Sequence, residues 1–164
     1  MDAESFKEGL QQAFGYLSFR ARTEQELRRY LTQKGHPPET VEAVLGRLRD
    51  LHYLDDGVFA VSWVESRRRS HPRGPRLLRA ELHQKGVARE VADRAIADAA
   101  GDEREQALDA ARARAGAVQA ADYNEFGRKL GGFLMRRGFA GEIVWDVVRQ
   151  LWGERSGQRP GLAD

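Results

Sequence analysis

One short pattern occurs three times in this chain, and it limits the possible folds more than any other feature. Leu27, Leu31, Lys34 and Gly35 recur as Leu78, Leu82, Lys85 and Gly86, and again as Leu130, Leu134, Arg137 and Gly138. Gly35 to Gly86 is 51 residues, and Gly86 to Gly138 is 52. Leucines four apart share one helical face, and a cation followed by Gly is a helix end with a left-handed stop. A period of this length implies a repeated supersecondary unit.

Each copy is preceded by another amphipathic stretch, over roughly 4–18, 56–70 and 103–119, and followed by a third apolar helix. Examples are Val41, Val44, Leu45, Leu48 and Leu51, and Ile143, Val144, Val147, Val148 and Leu151. Val41, Val91 and Ile143 follow the three glycines at similar distances, and this alignment gives the first copy one extra residue at Pro37-Pro38. No run of residues alternates as a strand would. The sequence therefore predicts an all-α chain of three tandem three-helix repeats, at 1–54, 55–100 and 101–153, with a disordered tail over 154–164. A unit of about 50 residues has a marginal core alone, so neighbours are expected to pack on one another.

Helix starts are legible too. Thr23 to Glu26 reads as a capping box, Asp122 to Glu125 has a similar shape, and Gly74-Pro75 places Pro at a first helical position. Gly131-Gly132 lies inside a predicted helix, at a cost of roughly 2 kcal/mol against alanine, and is read as close helix–helix packing.

Charge is sorted along the repeat. The chain holds 27 Lys and Arg against 25 Asp and Glu, a net of only +2. Residues 20–34 carry Arg20, Arg22, Arg28, Arg29 and Lys34 against Glu24 and Glu26. Residues 65–79 carry Arg67, Arg68, Arg69, Arg73, Arg76 and Arg79 against Glu65 alone. Lys85 closes the second helix of that repeat, and residues 128–137 carry Arg128, Lys129, Arg136 and Arg137 with no acid. Residues 90–109 carry seven acids and two arginines. The second helix of every repeat, with its approach, is thus basic. These positions are the candidate binding residues, because forked guanidiniums suit phosphates or carboxylates. The competing reading is a solvated face with pairs such as Arg22–Glu26 or Glu26–Arg29. The aromatics Phe59, Trp63, Phe126, Phe133, Trp145 and Trp152 are read as core.

Several chemistries have no sequence support. The chain has no Cys, so disulfides, thiol catalysis and cysteine-ligated metals are excluded. It has no phosphate-binding Gly-x-x-x-x-Gly-Lys loop and no His-Glu-x-x-His pair. His36, His52, His71 and His83 share no defensible helical face, and Asp55-Asp56 reads as a helix start. No catalytic residue, metal or cofactor is expected, nor a membrane span or leader. A cytoplasmic, monomeric binding or regulatory protein is the expectation.

Three stretches carry a family resemblance. They are Leu17-Ser18-Phe19-Arg20-Ala21-Arg22-Thr23-Glu24-Gln25-Glu26-Leu27-Arg28, then Tyr53-Leu54-Asp55-Asp56 with Phe59, Ala60 and Trp63, then Arg73-Gly74-Pro75-Arg76-Leu77-Leu78 with Glu81, Leu82 and Lys85-Gly86-Val87. Phe133 to Phe139 adds a weaker fourth. In order and spacing these resemble the RecX regulators of the RecA recombinase. The resemblance implies an elongated, curved array of three-helix units. It also implies binding to RecA and its nucleoprotein filament, with suppression of ATP hydrolysis, strand exchange and coprotease activity. DNA repair and the SOS response would be the processes restrained. Single- or double-stranded DNA would be met through the basic helices. Two other readings stay open: a stand-alone trihelical DNA-binding protein, and a helical scaffold that binds only proteins.

Overall fold

The computed structural model describes residues 2–157. Nine helices and no strand occur among them. They are α1 (Ala3–Leu17), α2 (Glu24–Gln33), α3 (Pro38–Asp50), α4 (Asp56–Ser70), α5 (Pro75–Gln84), α6 (Arg89–Ala99), α7 (Glu103–Ala115), α8 (Tyr123–Arg136) and α9 (Gly141–Ser156). The expected class and the threefold helix count are both observed.

The repeat leucines face the cores of their units. Leu27, Leu31, Leu78, Leu82, Leu130 and Leu134 are all buried. Gly35, Gly86 and Gly138 take φ of 90°, 82° and 86°, the left-handed stop that the spacing predicts.

The expected extra residue in the first repeat is not there. The third helices all begin three residues after their glycine, at Pro38, Arg89 and Gly141. Buried positions fall six, nine, ten and thirteen residues after it in every copy. These are Val41, Val44, Leu45 and Leu48, then Ala92, Ala95, Ile96 and Ala99, then Val144, Val147, Val148 and Leu151. Val91 and Ile143, which suggested an insertion, are only partly buried. Pro38 costs nothing at its first-turn position, and Pro37 accepts the first-turn N–H groups of Thr40 and Val41.

The chain forms two compact units. The first holds Met1–Ser62 and Glu81–Ala95; the second holds Trp63–Ala80 and Ile96–Asp164. The division passes through all three helices of the middle repeat. In the first unit, Ala13, Leu27, Leu31, Val41, Val44, Leu45, Leu48 and Leu54 make one core cluster, with Phe6, Leu10, Phe14 and Leu17 against it. In the second, the buried residues of α7 are the alanines Ala107, Ala110 and Ala111, with Leu108 partly buried beside them, against the larger side chains of α8 and α9. The small volume of the alanines lets α7 approach closely.

Two helix ends differ from expectation. α7 stops at Ala115 rather than near 119, because Gly116 ends it and Val118 turns back into the core. α9 runs through Gly153 to Ser156 before Gly157 stops it at φ 71°, so the first three residues of the expected tail are helical. Arg155 holds that last turn by donating to the Val118 carbonyl at 2.8 Å. The rest of the expected disordered tail, 158–164, lies outside the described residues.

Gly131 accounts for part of the double glycine. A Cβ there would sit 3.2 Å from the Trp145 ring, and one at Gly127 would sit 3.3 Å from it. Gly127 and Gly131 are one turn apart, so together they make a shallow seat for that indole. Gly132 faces only the flexible end of Arg136, and close packing does not explain it. Trp145 is 44% exposed on this seat, contrary to the core reading, whereas Phe59 and Phe126 are buried as expected. Trp63, Phe133 and Trp152 are partly buried.

Candidate functional site

The basic positions divide between the two units. In the first, the start of α2 is a dense hydrogen-bonded node. Thr23 is fully buried, and its hydroxyl accepts from the Glu26 N–H at 3.2 Å and donates to the Lys85 carbonyl at 2.5 Å. Glu26 returns the capping bond to the Thr23 N–H at 3.1 Å. Asp55 caps α4 through the N–H groups of Gly57 and Val58, as its position before that helix predicts. Asp56 instead accepts the Glu24 N–H at 2.8 Å, so it serves the start of α2.

This node consumes much of the charge that the sequence counts as available. Arg20 and Lys85 both pair with Glu26, at 2.8 and 3.3 Å. Arg28 pairs with Glu24 at 3.0 Å and also with Glu42. The expected pairs Arg22–Glu26 and Glu26–Arg29 are not formed. Arg22 lies 3.9 Å over the Tyr16 ring, which stacks on Tyr30 at 4.1 Å, and Lys34 approaches the same stack at 5.6 Å. Arg29 and Lys34 are exposed and make no ion pair among the described residues.

Glu26 carries a pH signature. Burial pushes its pKa up, but the hydrogen bonds from Arg20 and Thr23 and the nearby charges of Lys85 and Arg20 outweigh burial and hold it below 4.5. A depressed carboxyl contributes stability above its unfolded pKa and loses it as pH falls through the folded one. Glu26→Gln should therefore unfold at lower urea than the parent at neutral pH. That difference should shrink as pH drops through and below the ordinary glutamate range. Urea midpoints across pH test this; a constant difference would reject it. Asp56 acts in the opposite sense, because burial raises its pKa.

The remaining basic positions lie in the second unit. Here the start of α5 meets the end of α8: the Gly74 N–H donates to the Arg137 carbonyl at 2.8 Å, and Arg76 donates to the Met135 carbonyl at 2.7 Å. A Cβ on Gly74 would run into the Gly138 backbone. Arg137 lies 5.0 Å over the Phe133 ring and reaches the Pro72 carbonyl at 3.4 Å. Arg67 lies 4.1 Å over the Trp63 ring. Burial, followed by the charges of Arg67 and Arg137, holds the Arg73 guanidinium below its ordinary range, so three arginines crowd one place. Arg68, Arg79, Arg128 and Arg136 are exposed. Arg69 is 3.5 Å from Glu65, with both side chains solvated. Lys129 pairs with Glu125 at 2.7 Å and donates to the Gln119 carbonyl.

Among the described residues no group of three His, Asp or Glu is placed to hold a metal, and no helix is long and apolar enough to cross a membrane. His36 shares a hydrogen bond with the Gln12 side chain at 3.1 Å, and His52 has φ 57° just after α3.

Helices in threes, with repeat glycines at fixed stops and arginine gathered near the second helices, define a protein assembled from tandem three-helix domains. Family models described as the first, second and third three-helix domains of RecX match residues 10–48, 55–96 and 102–148. Regulatory protein RecX of Amycolatopsis mediterranei is 36% identical over 162 residues, covering 98% of this chain and 93% of that relative. Its namesake from Mycolicibacterium vanbaalenii is 40% identical over 147 residues, covering 85% and 80%. The crystal structure of RecX from Lactobacillus salivarius superposes with a TM-score of 0.83 at 22% identity, covering 92% of this chain and 98% of that one. This chain belongs to the RecX family, and its named relatives are regulatory proteins.

Proposed function

We propose that this chain binds the RecA recombinase and its nucleoprotein filament and inhibits ATP hydrolysis, strand exchange and coprotease activity, acting as a cytoplasmic monomer. It lies in the filament groove or at the filament end. Single- or double-stranded DNA is met through arginines, and the response to DNA damage is thereby restrained. The observation that carries this reading is kinship over nearly the whole length to proteins named as regulators. The arginines of the second unit supply a physical means, since each phosphate neutralised releases counterions. The first unit offers Arg29 and Lys34 as further contacts. Several modest contacts on one chain bind together far more tightly than each alone.

The test is DNA-dependent ATP hydrolysis by the recombinase, titrated with this protein. Suppression is expected, and it should weaken with added salt. Suppression at amounts well below the recombinase indicates a blocked filament end; suppression only near saturation indicates groove coating. Unchanged hydrolysis at saturating protein rejects the proposal. Sequence-selective duplex binding without recombinase would replace it with a stand-alone DNA-binding role. Salt-insensitive partner binding without DNA affinity would replace it with a scaffold.

A further inference from the structure

A cleft of about 630 Å³ lies in the second unit between the end of α7, the connection that follows it, and α8. Its lining includes Arg114, Gln119, Arg128, Lys129, Phe133 and Arg136, and no carboxylate. Lys129 has Glu125 as its acidic partner. Arg114, Arg128 and Arg136 make no ion pair among the described residues, and all three are exposed. Phe133 is partly buried against the core, with the Arg137 guanidinium 5.0 Å and the Arg114 guanidinium 5.9 Å from its ring centroid, so an incoming base would share the ring with these cations. Like charges converging without an acid repel one another, and an anion placed among them relieves that repulsion. Arg114 precedes the basic second helix and was not among the residues the sequence singled out.

We propose that this cleft is a single-stranded DNA site, in which one base stacks on Phe133 while Arg114, Arg128 and Arg136 hold the flanking phosphates. Arg128 and Arg136 are eight residues apart on α8, or about 12 Å along its axis, so they reach phosphates about two nucleotides apart on a strand. An aromatic face flanked by cations matches a single strand, which presents a flat base and a charged backbone in turn. A duplex keeps its bases stacked and cannot offer one to the ring. An acidic peptide would use the cations but make no stacking contact with the ring. This site rests on the proposed DNA contact and gives it a strand preference.

The test is fluorescence anisotropy of the full chain, without recombinase, on a labelled oligothymidylate and the matching abasic phosphodiester. The unaltered chain should bind the oligothymidylate about tenfold more tightly. Phe133→Leu should remove that preference and leave abasic binding in place. Arg114→Gln, Arg128→Gln and Arg136→Gln together should weaken both ligands and lower the logarithmic salt slope by about 2. Equal affinity of the unaltered chain for the two ligands overturns the proposal even if Phe133→Leu fails to fold. An unchanged salt slope in the triple variant overturns it as well. Displacement by an oligoaspartate as effective as by oligothymidylate overturns it in favour of an acidic protein partner. Because recombinase is absent, failure here leaves suppression of ATP hydrolysis to stand or fall separately.

Discussion

Gly138→Ala should lower stability by about 3–5 kcal/mol, while Gly35→Ala, at the matching position of the first repeat, should cost only about 1–2 kcal/mol. Both residues have φ near 90°, so alanine meets the same left-handed penalty at each. Their surroundings differ. A Cβ on Gly35 meets nothing within 4 Å. One on Gly138 collides with the backbone nitrogen of Leu77 and comes within 2.6 Å of its Cβ. Leu77 is fixed there, because its N–H bonds the Gly74 carbonyl and Gly74 in turn bonds Arg137. Relief therefore requires prising the start of α5 off the end of α8, with loss of the Arg76 bond to Met135. Gly86→Ala should fall between, since its Cβ would meet the Gln25 side chain, part of which can swing away. Thermal unfolding followed by circular dichroism ranks the three. At roughly 2–4 °C per kcal/mol, Gly138→Ala should melt about 10 °C below the parent. Equal losses at all three would show that only φ matters and that the contact at Gly138 carries no weight.

The same three positions show how far the sequence could be read. A glycine that must be glycine for φ leaves a visible mark, and the paired leucines before it mark the buried face, so repeat and helix class were legible. Register beyond the glycine was not, because Ala92 is a weak apolar signal beside Val91, and Ile143 outweighs its neighbour Val144. Packing selects Ala92 and Val144. The backbone approach that makes Gly138 and Gly74 irreplaceable spans 64 residues and leaves no local trace. Charge posed a similar difficulty. The sequence gives the number of arginines, but not that Glu26 is shared between Arg20 and Lys85, nor that Glu24 takes Arg28 and also Arg49. Aromatic residues at helical spacing look alike in sequence, yet Phe126 is in the core while Trp145 lies outside it on glycines.

That uneven use of charge makes Arg68 and Arg69 the positions where reversal should hurt inhibition most while sparing the fold. Arg69 is 72% exposed, and its pairing with Glu65 is of the kind that contributes little. Arg73, Arg76 and Arg137, by contrast, sit where the start of α5 meets the end of α8, so changing them confounds binding with stability. Arg68→Glu with Arg69→Glu moves the net charge from +2 to −2, replacing two attractions to phosphate or acidic protein by two repulsions. At about 0.7 kcal/mol for each of these four changes once solvent and salt screen them, roughly 3 kcal/mol of binding is lost. The concentration giving half-suppression of ATP hydrolysis should then rise about a hundredfold at low salt, and less at high salt. The melting temperature should stay within about 2 °C of the parent. Arg20→Glu with Arg28→Glu makes the same change in net charge where the cations are already matched by Glu24, Glu26 and Glu42. It should destabilise the first unit yet cost far less inhibition per folded molecule. If that pair, still folded, abolished inhibition while the Arg68 and Arg69 pair did not, the gripping surface would belong to the first unit.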